Sequence, residues 1–194
     1  MKNINHSYLK EKNIILRVDL NVPYVGGVIT EKSRIDAVKP TIKKLSDKKN
    51  KIFIISHFGR PKGIKNEKFS LKFMHSVLKD EFPNNQVYFL ENLEDTDIKN
   101  IISKMKQGEI CLCENIRFYP AEEKNEINFT KRLSKNFDAY VNDAFSASHR
   151  KHSSIVGIPK ILPSFAGNSL INEISNINSF IDNPKKPNIA IIGG

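Results

Sequence analysis

The sequence predicts an α/β protein, an open parallel β-sheet of about six strands flanked by helices on both faces in the Rossmann-like manner. Short β-type runs recur along its 194 residues. Most of these runs are continuously apolar and do not alternate, which is how strands covered on both faces read. Segments with helical spacing stand between them.

The runs, in order, are residues 13–20 (NIILRVDL), 51–57 (KIFIISH), 86–90 (QVYFL), 109–115 (EICLCEN), 139–143 (AYVND) and 188–192 (NIAII). A first crossover helix is expected just after Arg34, in EKSRIDA. SLKFMHSVLKDEF starts at a plausible N-cap, Ser70, and repeats Leu71, Met74, Val77 and Leu78 at helical spacing. DIKNIISKMKQG repeats Ile98, Ile101, Ile102 and Met105 and stops at Gly108. Residues 164–187 place Leu170, Ile171, Ile174, Ile177 and Ile181 along one face before Pro184, and the segment reads as a closing helix. NIAIIGG then reads as a strand running into a glycine turn, either the opening of a further unit or a terminal edge strand.

Composition narrows the function classes. A formal charge of +10 and a pI near 9.5 point to anionic partners: nucleic acid, a membrane surface or a small phosphorylated metabolite. No apolar run approaches the roughly 18 residues of a membrane helix, and the N-terminus lacks a signal-peptide core, so a cytoplasmic protein is expected. Cys111 and Cys113 sit two apart, in poor geometry for a mutual disulfide, and read as buried thiols. Phe53, Tyr88 and Phe145 read as core, and Gly59, Pro61 and Gly63 as turn formers. Zinc spacing, the G-x-x-x-x-G-K-[ST] loop, a complete G-x-G-x-x-G and G-x-S-x-G do not occur.

Ligands of open α/β sheets bind beyond the carboxyl ends of the strands. There this chain carries Asp19 and Asn21, then His57 and Arg60, then Arg117, then His149, Arg150 and His152, with Arg34 ahead of the first crossover helix. Against 25 lysines there are only six arginines, and four of them (Arg34, Arg60, Arg117, Arg150) lie in these places. Arginine's planar fork binds phosphate or carboxylate bidentately where an ammonium is a point charge. A single such residue is more often a solvated loop residue, but four crossovers converging on one sheet edge outline an anion site. Asp19 reads equally as a salt-bridge partner or as an acceptor for a ligand hydroxyl.

RVDLNVP, SRIDAVKPTI, SHFGRPKG, FSLK, CENIRFYPAEEKN, AYVNDAFSASHRKHSSIVGIP and NIAIIGG together resemble the N-terminal half of the phosphoglycerate kinase family, in order and over essentially the whole chain. The resemblance implies a monomeric, hinged glycolytic kinase that transfers a phosphoryl group between 1,3-bisphosphoglycerate and ADP, or from ATP to 3-phosphoglycerate in reverse. It implies that residues 1–168 form the substrate-binding domain, residues 169–187 an interdomain helix and residues 188–194 the first strand of a C-terminal nucleotide domain. By motif position, His57, Arg60, Arg117 and Arg150 look like holders of the 3-phosphate. Asp19 and Asn21 look like contacts to the C2 hydroxyl, and Arg34 like the catalytic cation facing the carboxylate or acyl phosphate. Mg2+ and ADP or ATP are implied for the complete enzyme, with none held by residues of this chain, no metal site, and no nucleic-acid or membrane partner. The sequence departs from the family at Ser146-Ala147-Ser148, where Gly-Thr-Ala is usual, and in stopping at IIGG. It is therefore expected to be the substrate half of the enzyme, inactive alone.

Two other readings stand beside this one. In one, a basic α/β domain binds RNA or DNA, for which the sequence offers no aromatic stacking platform. In the other, the fragment matters only when a separate C-terminal partner docks.

Overall fold

The computed structural model describes residues 2–182 together with Pro184 and Ile189. In chain order the strands are β1 (Asn13–Val18), β2 (Tyr24–Val25), β3 (Val28–Ile29), β4 (Lys51–Ile55), β5 (Val87–Leu90), β6 (Ile110–Cys113), β7 (Ala139–Asp143) and β8 (Ser164–Ala166). The helices are α1 (Ser33–Asp47), α2 (Lys72–Glu81), α3 (Asp95–Lys104), α4 (Pro120–Glu123), α5 (Ile127–Ser134) and α6 (Asn168–Asp182). Six strands form one parallel sheet in the order β5-β6-β4-β1-β7-β8, while β2 and β3 make a separate antiparallel hairpin.

Both faces of the sheet are covered, which explains the unbroken apolar runs. Ile14, Leu16 and Val18 of β1 and Ile52 and Ile54 of β4 point to a core completed by Ile35, Val38, Ile42 and Leu45 of α1 and Met74 and Leu78 of α2. The alternate residues Ile15, Phe53 and Ile55, with Cys111 and Cys113 of β6, point the other way against Ile98 of α3 and Phe129 and Leu133 of α5. The two cysteines are free and buried on that second face, as two-residue spacing in a strand requires.

The sheet reaches six strands by a different route from the one the sequence predicts. Its sixth strand is β8, inside the segment expected to be wholly helical, and residues 188–192 lie outside the described residues apart from Ile189. β8 is three residues long and pairs Ser164, Phe165 and Ala166 with Tyr140, Val141 and Asn142. A run that short has no periodicity to show. Arg34 lies inside the first turn of α1, not ahead of it. Ser70 precedes the N-cap position of α2, which Leu71 occupies, although its hydroxyl still accepts from the Lys72 amide at 3.1 Å. Phe145 is 38% exposed in the turn after β7 and is not core.

Register sets up the site. Arg17 of β1 pairs with Ile55 of β4, and Val18 with Asp143 of β7, so β1, β4 and β7 end at one level. The chain leaves β1 toward β4 on one side and returns to β7 on the other, which makes the rim beside β1 the topological switch point where open α/β sheets hold ligands.

Candidate functional site

Four loops meet at that rim, and hydrogen bonds lace them together. After β1, the Leu20 amide donates to Ser56 Oγ at 2.9 Å and the Asn21 amide to Asp19 Oδ1 at 3.0 Å. Asn21 Oδ1 accepts from the Gly59 amide at 2.8 Å, tying the first loop to the second. Gly59 sits at φ +61°, and a Cβ there would stand 2.4 Å from the Phe69 ring, so the position requires glycine twice over. Its carbonyl accepts from Arg117 Nη1 at 3.0 Å. Gly59 is thus a structural corner of the site, beyond the turn-forming role its sequence suggests.

The third loop is shaped by Asn115, whose amide donates to the Phe58 and Phe69 carbonyls at 2.7 and 2.8 Å while its Oδ1 accepts from the Arg117 amide. This turns Arg117 inward, where it is 4% exposed. Its Nε lies 3.4 Å from Glu123 Oε1 without a hydrogen bond, and its Nη2 has no hydrogen-bond partner. Burial holds the Arg117 pKa below its ordinary value; Glu123 opposes that shift, while Arg150 and Arg17 add to it. A buried guanidinium with free donors is costly in water's absence and is relieved by an anion.

His57 is also buried, with Nδ1 3.2 Å from Arg17 Nη2. Burial first, then the charges of Arg17, Arg117 and Arg150, lower its pKa to about 3, against a smaller opposing pull from Asp19. Asp19 Oδ2 accepts from both Arg34 and Ser146. Burial pushes the Asp19 carboxyl up, but opposing influences led by the Ser146 hydroxyl and the Asn21 amide outweigh it and leave the pKa lowered. Arg150 stands close enough for its charge to depress both His57 and Arg117, and it makes no side-chain hydrogen bond or ion pair among the described residues. Arg60 follows Gly59 directly, is exposed, and likewise has no such partner among the described residues.

The structure therefore links Asp19, Asn21, Arg34 and Arg117 into one bonded network through Gly59, with His57 held separately by Arg17, Arg150 alongside and Arg60 at the exposed lip. His149 is exposed. His152 faces Glu122, its Nδ1 3.9 Å from Oε1, and burial lowers its pKa. A cleft of about 800 Å3 opens beside the network, sharing Asn21 and Gly59 with it and lined by Tyr24, Phe58, Phe69 and Phe73; none of the arginines lines it.

Sequence reasoning missed Arg17, Ser146, Ser154 and Glu122. Arg17 had a signal, since it is the one cation inside the apolar run NIILRV, a place where a charge must be deliberately partnered. Glu122 is completely buried and had no signal, because nothing in PAEEKN separates it from a solvated helix start.

A family model described as phosphoglycerate kinase matches residues 4–194. The chain is 39% identical over 193 residues to phosphoglycerate kinase of Brucella melitensis, covering 100% of this chain and 48% of that protein. It is 43% identical over 183 residues to the Rhizobium meliloti enzyme of the same name, covering 94% of this chain and 46% of the relative. The phosphoglycerate kinase structure from Coxiella burnetii superposes with a TM-score of 0.84 at 32% identity, over 99% of this chain and 48% of that one. That from Pyrococcus horikoshii gives 0.85 at 31%, over 96% and 47%. The chain thus spans about half the length of the relatives it matches.

Proposed function

We propose a function from one premise: this chain belongs to the phosphoglycerate kinase family. It supplies the 3-phosphoglycerate-binding half of a kinase that moves a phosphoryl group between 1,3-bisphosphoglycerate and ADP. Residues 1–168 hold the acidic substrate, and the segment from 169 leads toward a nucleotide-binding half that residues 1–194 are not proposed to contain.

The observation that carries this reading is the buried guanidinium of Arg117 with unfilled donors, at the meeting of four loops that also bring Arg60, Arg150 and His57. A phosphate dianion satisfies such donors bidentately and neutralises their mutual repulsion. Arg34 reaches the same rim from α1 on the Asp19 side, where the other end of a three-carbon acid would lie. There it neutralises the carboxylate, or the charge on a phosphoryl group in transit. Asp19 and Asn21 flank the intervening C2 hydroxyl. Phosphoryl transfer depends on positioning and charge stabilisation rather than on a covalent nucleophile, and these residues offer both.

Among the described residues no group of three or more His, Cys, Asp or Glu side chains is placed to hold a metal ion. No helix among them is long and apolar enough to cross a membrane. We infer a monomeric, cytoplasmic enzyme by family resemblance.

Calorimetric titration of the chain with 3-phosphoglycerate tests the reading. One site is expected, abolished by removal of Arg117 or Arg150. Binding that is instead non-saturating, salt-dependent and shared with unrelated polyanions would replace the reading with nonspecific electrostatic attraction.

A further inference from the structure

We propose that Arg17 is a positioning residue that holds His57 as its neutral Nε2–H tautomer, so that the imidazole meets an anionic ligand as a hydrogen-bond donor. The last clause rests on the ligand reading above; the tautomer itself does not.

The guanidinium of Arg17 is 1% exposed and places Nη2 3.2 Å from His57 Nδ1. Arginine has five N–H donors, no acceptor and no accessible neutral form. Nδ1 must therefore be the acceptor, which leaves the single ring proton on Nε2. A doubly protonated ring would oppose N–H to N–H and place two cations side by side out of water. Burial and the neighbouring arginines hold the His57 pKa to about 3, in keeping with a neutral ring. Nε2 makes no hydrogen bond among the described residues. Only this tautomer offers an anion a proton there; the alternative would present a lone pair.

Arg17 is held in turn by a buried relay whose direction is forced. Its Nε donates to Ser154 Oγ at 3.1 Å. The hydroxyl, having accepted, passes its own proton bond to Glu122 Oε1, while the Ser154 amide donates to Oε2 at 2.9 Å. Nη1 donates to the Val18 carbonyl, and the Tyr140 hydroxyl donates to the Ser154 carbonyl. Arg17 is therefore tied through one hydroxyl to a completely buried carboxyl group, whose pKa burial raises, and cannot swing from the ring without breaking that relay. At one end the relay meets the rim through His57, and at the other Glu122 lies 3.9 Å from His152.

Nitrogen NMR of the 194-residue chain without ligand, at about pH 7, reads the tautomer directly, with the His57 signals assigned by their loss in His57→Gln. A pyridine-type Nδ1 and a pyrrole-type Nε2 are expected, with no protonation shift on lowering the pH to about 5. A pyrrole-type Nδ1, or an averaged pair, would overturn the proposal. In Arg17→Leu the two signals should move toward an averaged pair and His57 should titrate at higher pH; a folded variant with unchanged signals would overturn it. If Arg17→Leu does not fold, Ser154→Ala, which cuts the relay, should give the same movement, and no movement would again overturn it. Because the spectra need no ligand, a wrong tautomer counts against the positioning role, whereas a missing calorimetric response to 3-phosphoglycerate counts against the binding reading.

Discussion

The Ser146 hydroxyl donates to Asp19 Oδ2 across 127 positions of the chain, on the same oxygen that accepts from Arg34. Two loops and the first turn of a helix thus converge on one carboxylate oxygen. Asp19 Oδ1 takes the Asn21 amide, so three of roughly four lone-pair positions of the carboxylate are filled and one remains for a ligand hydroxyl. The Ser146 hydroxyl is the largest of the influences that lower the Asp19 pKa. Ser146→Ala should therefore raise that pKa, read by carbon NMR of the carboxyl, and cost about 0.5–1.5 kcal/mol in denaturant unfolding. An unmoved Asp19 would show that the bond is not held in solution.

Asp19→Asn bears on the free lone pair. It should weaken 3-phosphoglycerate more than an analogue lacking the C2 hydroxyl, since a site built to accept a hydroxyl discriminates most against its absence. Equal losses for the two ligands would leave Asp19 as the salt-bridge partner of Arg34 only.

Arg60 is exposed and unpaired among the described residues, so it can be changed without disturbing the core. Arg60→Lys keeps the charge and loses the fork, and 3-phosphoglycerate affinity should fall by about 10- to 100-fold in calorimetry. Parent-like affinity would mean that only charge matters at that position.

Gly59→Ala tests the corner between the loops. The positive φ and a Cβ 2.4 Å from the Phe69 ring should together cost on the order of 1–3 kcal/mol of stability. Because the Gly59 carbonyl holds Arg117, substrate affinity should fall in parallel. A loss of stability with unchanged affinity would uncouple the two.

His57 gives the chain a pH dependence of defined sign. Its folded pKa of about 3 lies below the ordinary value of 6.5. Between these values the unfolded chain binds a proton that the folded chain refuses, so stability is full above about pH 6.5 and falls as the pH drops toward 3. Each pKa unit of displacement is worth about 1.4 kcal/mol. His57→Gln should flatten the slope of unfolding free energy against pH across that window. An identical slope in the variant would assign the dependence to other groups.

The polypeptide of residues 1–194 should bind 3-phosphoglycerate yet show no turnover with MgATP in a coupled assay, because in-line transfer needs a second wall to align the nucleotide. Turnover that survives removal of contaminating full-length kinase would reveal a nucleotide site within this chain. Activity regained only on adding a separate nucleotide-binding half of a relative would identify complementation.

The sequence by itself determined the layered architecture, because burial of both sheet faces dictates continuous apolar strands, and amphipathic spacing dictates the helices between them. It also marked where a lysine-rich chain still uses arginine, at Arg60, Arg117 and Arg150 beyond strand ends and at Arg34 beside the first crossover. The tertiary structure alone decided the rest. β8 has three residues and is held by pairing with β7 on one side and by a bridge from Asn3 to Ala166 on the other. Arg17, Ser154 and Glu122 lie far apart in the chain, and their shared proton ladder follows from packing the π-helical turn Ser153–Gly157 and α4 against β1, which no local pattern encodes. Periodicity records which face a residue turns to the core. Which polar groups then meet there depends on contacts between distant segments, and a hydrogen bond is decided by tenths of an ångström that only the folded chain sets.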